Sequence, residues 1–297
     1  MPGARPLSYL RNMRDACFAR RRERPDPCRR GDPWHRNSRM ARPRGAVRKT
    51  RPLIVLINLQ RADVRRARMS AQLHDQGVPF ERLGHDFRGR DRSEIARWYA
   101  AHCPALRPAP GALSGAELGC WASHVSAWMR IQESGEAAGT VLEDDLVLAP
   151  GFGAGVRELE ADLGNFDLVY LGTSSRNLSR RRVTTVGRHR VHAPVGLVVN
   201  TWGYVVSARW IARVLAHPSL AITMPIDHFL GGRGGVTKPR IGVVQPACVH
   251  EDPRTARDSQ IQPHTWRPDR SRVAEGMRRR FLDSRASDWF YRIYRWL

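Results

Sequence analysis

The run Leu53-Ile54-Val55-Leu56-Ile57-Asn58-Leu59 is apolar at every position but one. A short continuous run of this kind is a strand buried on both faces, and such strands belong to sheets covered by helices. Residues 61–76, rich in Arg, Ala, Met and Leu, predict a helix that stops at Gly77, and Val78-Pro79-Phe80-Glu81-Arg82-Leu83 predicts a second strand. Strand, helix and strand within about 30 residues make a βαβ unit. The expected fold class is therefore α/β, a single domain built on a mostly parallel, helix-covered sheet. A chain of 297 residues has ample length for its core.

Further along, a helix fits 92–102 and a Pro-rich loop follows from Pro104 to Pro110. Ser114-Gly115-Ala116-Glu117 is a capping-box pattern that opens a helix reaching about Glu133. Leu118, Ala122, Val125 and Met129 form one stripe of that helix, widened by Trp121, Trp128 and Ile131. Glu117 and His124 lie on its flank, so a largely buried helix carries two polar side chains aimed at something specific. Beyond it the pattern predicts a strand at 139–142, a helix at 153–163 and a strand at 167–171. A basic polar loop is expected over 172–182, with strands at 195–199 and 203–206 flanking Asn200-Thr201-Trp202. A helix at 207–217, a short helix after Met224-Pro225-Ile226-Asp227-His228 and a strand at 241–245 complete the reading.

The chemistry concentrates at Glu143-Asp144-Asp145, set between the apolar runs Thr140-Val141-Leu142 and Leu146-Val147-Leu148. Like charges this close repel. A divalent cation among them removes the conflict, since Mg²⁺ and Mn²⁺ prefer carboxylate oxygens and bridge them to phosphates. A solvated turn between two strands is the alternative.

The formal charge is +22, and lysine contributes only Lys49 and Lys238 to it. Residues 1–50 carry 15 Lys/Arg against 4 Asp/Glu, half of that excess, and show no apolar period. They read as a disordered basic tail, or as residues ahead of a later start. The domain is expected over 51–263, followed at 264–297 by a basic, aromatic helical segment suited to an anionic membrane interface or to packing on the domain. Five widely spaced cysteines without a CxxC pair argue against a disulfide scaffold or structural zinc. No apolar run approaches the roughly 20 residues of a membrane span. A cytoplasmic protein, with peripheral contact to the inner membrane face, is the expectation.

Several stretches together resemble glycosyltransferase family 25, the lipooligosaccharide galactosyltransferase type. They are Val55-Leu56-Ile57-Asn58-Leu59 with Arg65, Gly115-Ala116-Glu117-Leu118-Gly119-Cys120 with Ser123-His124, Leu142-Glu143-Asp144-Asp145, Gly203-Tyr204-Val205-Val206-Ser207 and Pro225-Ile226-Asp227. The resemblance implies a GT-A-like fold and an inverting transferase. Its donor would be a nucleotide sugar, UDP-hexose, with Mn²⁺ or Mg²⁺ as cofactor. Its acceptor would be a glycolipid or oligosaccharide such as a lipopolysaccharide core. Departure of a nucleoside diphosphate needs its developing charge neutralised. Glu143 and Asp145 are the expected metal ligands, with His250 completing the shell, and Asp144 is expected on the ribose. Ile57, Asn58 and Leu59 would border the nucleoside and Arg65 a phosphate. An inverting transfer also needs a base. Asp227 is the first choice and Glu117, whose capping role competes, the second; His124 would orient the diphosphate or a metal-bound carboxylate.

Two other classes stand beside this one. Another metal-dependent phosphate transfer would use the same triplet, although Gly231-Gly232-Arg233-Gly234-Gly235 lacks the lysine-serine continuation of a Walker loop. A nucleic-acid binder would use the Arg-rich tail, but that reading leaves the triplet without a role, and no nucleic-acid partner is expected.

Overall fold

The computed structural model describes residues 51–83, 87, 92–174, 178–198, 200–233 and 237–255. The expected tail at 1–50 and the expected segment at 264–297 lie outside these residues. The elements in chain order are β1 (Ile54–Ile57), α1 (Asp63–Asp75), β2 (Glu81–Arg82), α2 (Arg92–His102), β3 (Leu106–Pro108), α3 (Gly115–Glu133), β4 (Ala138–Glu143) and β5 (Leu146–Leu148). Next come α4 (Phe152–Ala161), β6 (Leu168–Tyr170), β7 (Leu178–Val186), β8 (His189–Pro194), β9 (Gly203–Ser207) and α5 (Ala208–Leu215). The series closes with β10 (Leu220–Ile222), α6 (Ile226–His228) running into a π-helical turn (Phe229–Arg233), β11 (Ile241–Gln245) and β12 (Val249–Glu251).

Eight strands form the main sheet in the order β2-β1-β4-β9-β6-β11-β8-β7. The βαβ expectation holds at one end, where β1 lies parallel to both β2 and β4. The expectation of a mostly parallel sheet does not. β9 runs antiparallel between β4 and β6, and β8 is antiparallel to both β11 and β7. A strand inserted between neighbours distant in sequence leaves no local signature, because its apolar run reads the same in either direction. Two more expectations change. Residues 178–182, expected within a basic loop, belong to the edge strand at 178–186, and 195–198 form no strand, although Val195 and Val198 are buried.

The capping box at Ser114 is present in full: the Ser114 hydroxyl accepts from Glu117 N, and the Glu117 carboxylate accepts from Ser114 N at 2.7 Å. α3 then lays Trp121, Val125, Trp128 and Ile131 on one face of the sheet, against Val141, Tyr170, Tyr204 and Val206. Gly139 allows this approach, since a Cβ there would stand 2.7 Å from Ile131. Strand alternation puts Gly139, Val141 and Glu143 on the α3 side, while Thr140 faces α4 and donates its hydroxyl to Glu160 at 2.5 Å. The period-two rule thus carries Glu143 to the end of β4 pointing at α3. None of the helices among the described residues is long and apolar enough to cross a membrane.

Candidate active site

β1 and β4 are parallel and in register, Ile57 opposite Glu143, so Asn58 and Asp144 emerge side by side at their carboxyl ends. They open on a cleft of about 550 Å³, a volume suited to a nucleotide-sized ligand. Ile57, Asn58, Leu59, Arg65, Glu117, Glu143, Asp144, Asp145 and Asp227 all line it. His124 and His250 do not.

Each acid of the triplet has a different environment. Asn58 Nδ2 donates to Asp144 Oδ2 at 2.6 Å and to the Ala62 carbonyl at 3.2 Å, while Asn58 Oδ1 accepts from Arg82 Nε at 2.9 Å. Asn58 is buried and committed to holding Asp144. Arg65, expected on a phosphate, lines the cleft with its guanidinium 3.2 Å from Asp144 and 3.8 Å from Asp145. Burial still outweighs these partners and raises the Asp144 carboxyl above its ordinary value.

Glu143 is fixed from below. The Trp128 indole N–H donates to the Tyr204 hydroxyl at 3.0 Å, which lies 2.8 Å from His124 Nδ1, and His124 Nε2 lies 3.3 Å from Glu143 Oε1. The Thr201 hydroxyl donates to the same oxygen. An indole can only donate and an ionised carboxylate can only accept. Every group is therefore satisfied when the Tyr204 hydroxyl donates a hydrogen bond to Nδ1 and the ring carries its proton on Nε2. Burial pushes the Glu143 carboxyl up, but His124, Thr201 and Arg65 together hold it below its ordinary value. His124, itself fully buried, orients this carboxylate and does not reach the cleft.

Asp145 is the unsatisfied member. Its Oδ1 is buried without a hydrogen-bond partner. Burial first, then the charges of Glu143 and Asp144, push its carboxyl up to about 7 against the pull of Arg65. An orphaned carboxylate oxygen beside two further acids is the donor set that a hard divalent cation takes, so the residues present fit one. Cys120 Sγ, His124 and Glu143 also bring one ligand atom each within 4.8 Å of one another. Burial, followed by the charges of Glu143, Asp227, Glu117 and Asp145, raises the Cys120 thiol well above its ordinary value, so it stays protonated and inert.

Across the cleft, Asp227 sits in the first turn of α6 with Oδ1 accepting from His228 N at 2.8 Å. The preceding loop is pinned where Trp121 Nε1 donates to the Met224 carbonyl at 2.8 Å. Glu117 lines the cleft while its carboxylate serves the capping box. His250 is an exposed side chain of β12. β12 pairs with β5, His250 opposite Val147 and Glu251 opposite Leu146, and alternation sends Glu251 rather than His250 into the cleft. Sequence reasoning missed Glu251, Thr201 and Trp202 as cleft residues. The polar pair Asn200-Thr201 between two apolar runs was the signal there, and Asn200 has a φ of 72°.

The family model for glycosyltransferase family 25 (LPS biosynthesis protein) matches residues 52–230. The chain belongs to glycosyltransferase family 25. Among family relatives, procollagen galactosyltransferase 1 of Danio rerio is 28% identical over 186 residues, 60% of this chain and 30% of its own length. The glycosyltransferase 25 family member of Drosophila melanogaster is 28% identical over 188 residues, again 60% of this chain and 30% of the relative. A probable inactive glycosyltransferase 25 family member 3 of Bos taurus is 33% identical over 122 residues, 40% of this chain and 20% of its own length. The chain thus spans less than a third of each of these relatives. The matched family region contains the strand ends, the triplet and Asp227; Glu251 lies beyond it.

Proposed function

We propose that this family 25 chain transfers a hexose, galactose first among candidates, from a nucleotide sugar to a hydroxyl of a lipopolysaccharide-type or other glycan acceptor, with inversion and on a GT-A-like fold. The observation that carries the proposal is the cleft at the carboxyl ends of β1 and β4, where Asp145 holds a buried oxygen with no partner beside two acids fixed in place. Ligands of open α/β sheets bind outside such strand ends. The relatives' names support galactose, and the family description supports a lipopolysaccharide acceptor.

Mn²⁺ or Mg²⁺, when bound, would neutralise the charge that develops on the departing diphosphate. Asp145 would be the cation's primary protein ligand, and Glu143, whose carboxylate is anchored by His124 and Thr201, would offer its second oxygen. Asp144, held by Asn58 and Arg65, would face the ribose. Ile57 and Leu59 form the apolar wall for the base. Asp227 takes the proton of the acceptor hydroxyl as its oxygen attacks the anomeric carbon and the bond to the diphosphate breaks. Glu117 is less suited to that role, because its carboxylate already accepts from Ser114 N and from the Ser114 hydroxyl. The excess positive charge fits an anionic acceptor at the inner face of the cytoplasmic membrane.

The test is nucleotide release from a panel of UDP- and GDP-sugars, with and without Mn²⁺, in the presence of a lipopolysaccharide core acceptor. UDP-galactose turnover that depends on the cation and on the acceptor is the expected result. Cation-independent turnover, or none with any sugar, overturns the proposal.

A further inference from the structure

The outer edge of the sheet carries a second feature, independent of the cleft. In the β7–β8 hairpin Leu178 pairs with Pro194 and Val183 with His192, so residues 179–182 stand opposite Ala193 alone. The surplus leaves the ladder as a bulge that carries Arg180 and Arg181, both exposed, and Arg182, half-buried. The bulge is pinned rather than loose. Ser179, 1% exposed, accepts from Arg182 N through its hydroxyl at 3.0 Å, and its carbonyl accepts from His192 Nδ1 at 3.0 Å. Among the described residues none of the three guanidinium groups makes an ion pair, whereas neighbouring Arg188 on the same hairpin is paired with Glu158.

We propose that this arginine bulge is a docking surface for an anionic membrane. A single charge or a simple bulge is enough to blunt an edge strand against unwanted pairing. Three consecutive unpaired arginines on an anchored bulge exceed that need. Their planar forks match the phosphate oxygens of lipid headgroups. The flanking residues Leu178, Ser179, Val183 and Thr184 include no aromatic ring for base stacking, so a lipid surface fits better than a single-stranded nucleic acid. A cation near an anionic bilayer is worth about fivefold in partitioning, so the three together contribute about 100-fold.

The experiment compares the full chain with a bulge variant, R180Q/R181Q/R182Q, and with a control of equal charge change at exposed sites elsewhere, R97Q/R107Q/R157Q. Each is measured by co-sedimentation with vesicles of phosphatidylcholine containing 30% phosphatidylglycerol, as about a third anionic lipid, and with pure phosphatidylcholine vesicles. The expected result is a loss of about 100-fold in partitioning to anionic vesicles for the bulge variant only, with neutral vesicles bound by none. Equal loss in both variants would reduce the effect to net charge and overturn the assignment, as would unchanged binding by the bulge variant. A bulge variant that keeps vesicle binding and loses affinity for a short single-stranded RNA would make nucleic acid the occupant. None of these outcomes depends on sugar transfer.

Discussion

Asp145→Asn separates the electrostatics of the cleft from its shape. The Asp145 carboxyl is pushed up to about 7 by burial and by its acidic neighbours, against an ordinary value of 3.8. A raised folded-state value means that the native protein holds a proton that the unfolded chain has released. Stability therefore falls as pH rises from about 4 to about 7, and the full loss is present above that window. Some three pKa units correspond to about 4 kcal/mol at pH 8, and relaxation of the site brings the order of magnitude nearer 2 kcal/mol. Asn mimics the protonated acid and does not titrate. The variant without metal should thus melt about 4–8 °C above the wild type at pH 8, with the gap closing towards pH 4. Glu160, also pushed up to about 7 by burial, titrates in the same window but is common to both proteins, so the difference isolates Asp145. Thermal unfolding at pH 4.5 and pH 8, with and without millimolar Mn²⁺, is the assay. The cation should raise the wild-type midpoint at pH 8 and leave the variant unmoved. Equal midpoints for the two metal-free proteins at pH 8, or a variant still stabilised by Mn²⁺, would refute the reasoning.

Mn²⁺ affinity of the wild type should fall about tenfold for each pH unit below 7, because the proton competes for Asp145; titration calorimetry between pH 5.5 and 8 measures this, and a flat profile would remove Asp145 as the ligand. Asp227→Asn should leave donor binding near wild type and lower transfer by about 10²–10⁴, read from turnover and calorimetry together; weakened donor binding with normal turnover would reverse the base assignment. Tyr204→Phe removes the hydroxyl shared by Trp128 and His124 and should destabilise the fold by about 2–3 kcal/mol in urea unfolding, since two buried groups lose a partner. Gly231→Ala would drive a Cβ into the Val198 carbonyl oxygen and should show as a lowered melting temperature, with the cation-dependent shift retained in the folded fraction.

Local signals reached much of the site and little of the sheet order. The run at 53–59 specified β1, and the acidic triplet marked the end of β4, because strand burial and charge repulsion are properties of neighbouring residues. The capping box fixed the start of α3, which then set the depth of His124. What pairs with what was not legible. β9 lies between β4 and β6 through contacts across long stretches of chain, and its run Gly203 to Ser207 carries no mark of direction. The part of β7 up to Arg182 was read as a loop because its arginines break the apolar alternation, yet they sit on a bulge whose partners lie in β8. His250 was singled out as a ligand type, and the pairing of β12 with β5, which places Glu251 in the cleft lining and leaves His250 outside it, was not legible locally. The phosphate role of Arg65 came from the family resemblance, and its contacts at 3.2 Å to Asp144 and 3.8 Å to Asp145 depend on side chains far apart in the sequence.

Diffraction from a crystal holding manganese and UDP, recorded at the manganese edge, reaches the heart of the account. The anomalous peak is expected at bonding distance from Asp145 Oδ1, with the diphosphate on its far side and the ribose against Asp144. A peak at Cys120 and His124 instead, or UDP bound with no manganese near the triplet, would contradict it.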